Sequence, residues 1–133
     1  MLNTQSKVAL MWLLLPICIS IHTVLETVEH VFFSEKMESF GTEIPTEAHF
    51  IYIVALLLPL ILAFLSIFID HKGFRWFSLI YAGLLTLLNV VHLAEIVMTN
   101  IGNITQVILL LFVVVVSVLL LLELNKWRKV EMA

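Results

Sequence analysis

The sequence is short of charge. Only 13% of its 133 residues are Asp, Glu, Lys or Arg, against about 25% in soluble domains. Basic residues are scarcer still: seven Lys and Arg, a net charge of -3 and a pI near 5.9 leave no cationic face for nucleic acid. A single cysteine, Cys18, excludes an internal disulfide framework and a thiol-rich metal knuckle. What remains is 62% hydrophobic, with a mean hydropathy of +1.11. A chain of this kind has the bilayer as its solvent, and residues 1–133 are expected to form one compact bundle.

Four apolar segments are long enough to cross a hydrocarbon core of ~30 Å, which takes ~20 helical residues. They run at about 8–33, 49–69, 74–98 and 104–124. Helix is the state they must adopt, because an isolated strand would leave its backbone groups unpaired in lipid. The expected fold is therefore all-α, a four-transmembrane-helix integral membrane bundle. Pro16 and Pro59 fall inside the first and second spans, where each removes a backbone hydrogen bond and is expected to bend its helix.

Lys7, Lys72, Arg75, Lys126, Arg128 and Lys129 all lie at one end of a four-span arrangement, leaving Lys36 at the other. By the positive-inside rule, both the N and C termini are then cytoplasmic. Trp76 and Trp127 are expected as interfacial anchors on that side, and His71 and Glu123 as solvated groups. Lys7 followed by VALMWLLLPICI has the charged and apolar regions of a signal peptide, but Ile17 is too large to precede a cleaved lipoprotein cysteine. The segment is expected to remain as the first span with Cys18 in its core. Asn103-Ile104-Thr105 matches a glycosylation sequon and is read as a turn and helix cap, because it lies at the membrane surface.

The polar residues inside the spans carry the functional argument. At 3.6 residues per turn, His22, Glu26, Glu29 and His30 share a face about 100° wide on the first span. Asn89, His92 and Glu95 are three apart and share a face of the third. Counting both spans back from their outer ends pairs positions at an offset near 66, which levels Glu26 with His92, Glu29 with Glu95, and His22 with Asn89. Glu47 and His49 open the second span and Asn103, Thr105 and Gln106 the fourth, so all four bring polar groups to one end. Each ionised side chain near a bilayer centre costs ~3 kcal/mol unless partnered, and such a concentration points to a site.

Three uses fit. His22, Glu26, Glu29, His30, His92 and Glu95 make a His/Glu ligand set for zinc, iron or manganese, as in carboxylate-bridged sites of four-helix bundles, with an oxidoreductase or hydrolytic role. Asn89 and His49 would lie beside such a cofactor. Alternatively Glu26, His22 and His92 act as a metal-free acid and base on a lipid-soluble substrate. In the third reading the chain is a non-catalytic accessory subunit of a homo-oligomer or larger membrane complex. Small inverted-repeat exporters of similar length are Gly- and Ala-rich, and four glycines here argue against that variant.

The layout resembles that of uncharacterised bacterial membrane proteins named for an H-x-x-E-E motif. The likeness rests on His22 and Glu26 in the first helix, Pro45-Thr46 before the second, Asn89-x-x-His92 in the third and Thr105 opening the fourth. It covers most of the chain, although this sequence reads H-x-x-x-E and then E-x-x-E-H, so the naming motif is not literally present. The resemblance implies a multi-pass protein of a bacterial plasma membrane. The stretch IHTVLE is also similar to the H-x-x-x-E of the sterol-isomerase-like membrane family, which implies proton transfer by His22 and Glu26.

Overall fold

The computed structural model describes residues 2–33, 46–99 and 101–130; the side chains of residues 29–33 and 46–48 are outside the description. The described residues are almost wholly helical. Helix α1 covers Thr4–Phe33, α2 Thr46–Tyr52, α3 Leu58–Phe68, α4 Lys72–Thr99 and α5 Ile104–Lys129. A π-helical segment, Ile53–Leu57, joins α2 to α3 into one continuous rod. This gives four membrane-length apolar helices. An even number of crossings returns both termini to one side.

Pro59 accounts for the π segment. It has no N–H to offer the carbonyl of Ala55, and its ring would crowd that group. The preceding turn widens instead, with Leu58 N–H donating to the carbonyl of Ile53, five residues back. The Tyr81 hydroxyl on α4 donates to the carbonyl of Val54 inside the widened turn. A neighbouring helix thus serves a displaced carbonyl in a setting where water cannot. Pro16 is accommodated within α1 without breaking it.

Helix α5 is the centre of the bundle, packing against both α1 and α4, while α3 lies on the other side of α1. Its buried residues Gln106, Leu110, Val113, Ser117, Leu120, Leu124 and Trp127 alternate at four and three residues, the 3.5-residue seam of helices packed at a shallow angle. Val8, Trp12, Leu15 and Cys18 on α1, Leu62 and Ala63 on α3, and Ala82 and Leu85 on α4 complete the core. The outward faces carry Leu, Ile, Val and Phe in bulk, Phe64, Phe68, Ile80, Leu87 and Ile108 among them, each roughly 60 to 70% exposed. Apolar surface on that scale suits hydrocarbon and would be an aggregation hazard in water.

The basic end is more ordered than simple solvation would require. Arg75 is 2% exposed. Its Nε and Nη2 atoms hold Asp70 at 2.6 and 2.5 Å, and its Nη1 donates to the carbonyls of Trp127 and Val130, each at 2.7 Å. One guanidinium therefore ties the start of α4 to the orphan carbonyls ending α5. Trp127, expected at the interface, is only 2% exposed because it packs beneath Arg75 and edge-on to Phe74. Trp76 remains outside, with the Arg128 guanidinium 4.3 Å above its ring. Glu123, expected in solvent, is 12% exposed and pairs at 2.5 Å with Lys126, which stays exposed, as does His71. Asn103 caps α5, its side chain accepting from Gln106 N–H at 3.3 Å.

Candidate functional site

The packing seams of α1 and α4 lead directly to two histidines. On α1 the buried positions Val8 and Leu15 are seven apart, and the next step of seven is His22, 5% exposed. On α4 the buried stripe Arg75, Ser78, Ala82, Leu85 continues through Asn89 to His92 at the same alternation of three and four. Two parallel helices flanking α5 thus turn an imidazole toward each other at one level. The Nε2 atoms of His22 and His92 are 3.1 Å apart, with ring centroids 5.2 Å apart and ring planes at 75°.

Polar groups on α4 and α5 stand beside this pair. Glu95, one turn along α4, places Oε2 3.6 Å from Nδ1 of His92, with side-chain exposures of 66% for the carboxylate and 43% for the ring. That is too long for a hydrogen bond, so the carboxylate stands beside the ring without bonding to it. The two Nε2 atoms can share one hydrogen bond, its direction set by which ring carries the proton on that nitrogen. One turn inward, Asn89 donates to Ser117 Oγ at 3.0 Å, and Ser117 in turn donates to the carbonyl of Val113 at 2.8 Å. Asn89 thereby joins α4 to α5 through its Nδ2.

The wider His/Glu cluster expected from the helical faces does not assemble among the described residues, where no group of three or more His, Cys, Asp or Glu converges. Glu26 is exposed, as is His49 at the start of α2. Glu29 and His30 lie on α1, but their side chains fall outside the described residues. The inter-helix register is also corrected. His22 meets His92 at an offset of 70, one helical turn from the offset near 66 that levels Glu26 with His92. Counting from helix ends assumes two helices with equal tilt, and in a bundle the tilt follows from packing.

Fold and site together define a small four-helix membrane protein with a paired-imidazole site between its first and third spans. No family model, no curated protein and no solved structure matches the chain.

Proposed function

We propose that the protein binds one divalent transition-metal ion, zinc, iron or manganese, through Nε2 of His22 and Nε2 of His92. The observation that carries this reading is their separation of 3.1 Å. Two imidazole nitrogens each ~2.0–2.1 Å from one metal and 3.1 Å from each other subtend about 100° at it, between the octahedral and tetrahedral angles. Glu95 has the place of the outer carboxylate that orients a ligating histidine through its other nitrogen. Two protein ligands leave positions open for water, substrate or a further side chain, as catalytic sites require. Both Nε2 atoms must be free of protons to ligate, so uptake releases the proton between the rings or shifts a tautomer. The Asn89-x-x-His92 element behind the likeness to the H-x-x-E-E proteins supplies one of the two imidazoles.

The same distance favours a second reading. At 3.1 Å the two rings are within hydrogen-bond range, and His92 and His22 make a pair across which a proton passes to a lipid-soluble substrate. In either reading the positive-inside rule puts the basic end, with both termini, in the cytoplasm, and the histidines in the outer half of a bacterial plasma membrane.

Titration of metal-stripped, detergent-purified protein with Zn²⁺ tests the leading reading. Wild type is expected to take up one ion per chain. Glu95→Gln is expected to keep that stoichiometry and bind roughly 10- to 100-fold more weakly, the usual cost of losing an outer-shell carboxylate. Wild-type protein that takes up no zinc, iron or manganese would leave the proton-transfer reading in its place.

A further inference from the structure

At the opposite end of the bundle an open groove of about 530 Å³ runs between the first half of α1 and α3. Its walls are Ala9, Leu10 and Leu13 on one helix and Leu60, Ala63 and Phe64 on the other, with Leu2, Ser6 and Ile67 toward its mouth. The two helices are antiparallel here, and the Gln5 side chain donates to the carbonyl of Ile67 at 3.3 Å. Ala9 and Ala63 are both 7% exposed, and their short side chains leave the floor hollow where a larger residue would fill it.

The groove has the dimensions and polarity of one leaflet's interior. Ser6 to Leu13 rises about 10 Å along α1, most of the ~15 Å of hydrocarbon in one leaflet. The walls are apolar and the mouth lies at the basic end of the molecule. Lys7 follows the lining residue Ser6 on α1 and, like Lys72 and Lys129, makes no ion pair among the described residues, while Arg75 and Lys126 are occupied by Asp70 and Glu123. An apolar slot of leaflet depth with an unspent cation at its interfacial end fits an amphiphile with an anionic head.

We infer that this groove seats one acyl chain of an anionic phospholipid from the leaflet on the side of the termini, with its phosphate at Lys7. The inference is independent of the histidine site. Native mass spectrometry of delipidated protein, reloaded with phosphatidylglycerol or phosphatidylcholine of identical chains, tests it. Wild type is expected to hold one phosphatidylglycerol through collisional activation that strips the remaining lipid. Leu10→Trp combined with Leu60→Trp narrows the slot from exposed rim positions that do not burden folding, and is expected to lower retention at least tenfold. Leu119→Trp, equally exposed on α5, is expected to leave retention unchanged, and Lys7→Gln to abolish the preference for phosphatidylglycerol. Retention equal to wild type in the narrowed variant, or no retained lipid in wild type, would overturn the inference. A dimer mass that the narrowed variant alone abolishes would assign the groove to a second copy and overturn it equally.

Discussion

Replacement of Arg75 by alanine is expected to cost about 3–5 kcal/mol of stability, the range for breaking a buried charge network by removing one partner. The loss falls mainly on α5. Its terminal carbonyls at Trp127 and Val130 give up charge-assisted bonds of 2.7 Å, each worth about 1.5–3 kcal/mol, in a place the Arg75 side chain now shields from water. Asp70 matters less, because its side chain is 48% exposed and can be solvated once released, so Asp70→Asn is expected to cost about 1 kcal/mol or less. Arg75→Lys keeps the charge without the fork and cannot serve Asp70 and two carbonyls together, so it should fall between the two. Equilibrium unfolding in mixed micelles checks the series. An Arg75→Ala protein within about 1 kcal/mol of wild type, on the scale of a surface ion pair, would mean that the clasp is not what holds α5 to α4.

Replacement of His22 by alanine is expected to abolish stoichiometric metal uptake. It removes one of two ligands outright, so its effect should exceed the 10- to 100-fold typical of an outer-shell change and move binding out of the range in which one ion per chain is retained. His92→Ala should do the same. The two can be told apart by folding: His22 is 5% exposed and leaves a cavity in the α1 seam, whereas His92 is half-exposed and its loss is structurally milder. Metal content measured beside unfolding midpoints separates a lost ligand from a lost fold. If His92→Ala retains its midpoint and still carries one tightly held ion, the pair is not the ligand set.

Much of this arrangement is legible in the sequence. The four spans follow from apolar run length alone, since the bilayer admits only helix at that length. That His22 and His92 find polar partners also follows, because an imidazole in an apolar helix needs one. Less legible was which of the accompanying groups join them. A face drawn on one helix gathers Glu26 with His22, yet whether that face turns inward depends on the rotation of the helix against α5. In α5 the stretch from Leu109 to Leu122 is apolar on every side but for Ser117, so hydrophobic periodicity is silent there. The buried Gln106 and Ser117, eleven residues apart on the seam, are the polar marks that reveal it. They also identify Asn89 as the partner of Ser117. Arg75 was concealed for a different reason: counted as one loop cation among several, it gave no sequence signal that it closes on carbonyls more than fifty residues away.

Whether His22 and His92 together hold a metal ion is tested most directly by X-ray absorption at the zinc edge of the Zn²⁺-loaded protein. The expected spectrum has two imidazole nitrogens at ~2.0–2.1 Å with their outer-ring scattering, and oxygen donors in the remaining positions. Loss of that imidazole scattering in His22→Ala would complete the assignment. A first shell of oxygen alone, or a spectrum unchanged by the substitution, would contradict it and leave the 3.1 Å contact as a hydrogen bond between two rings.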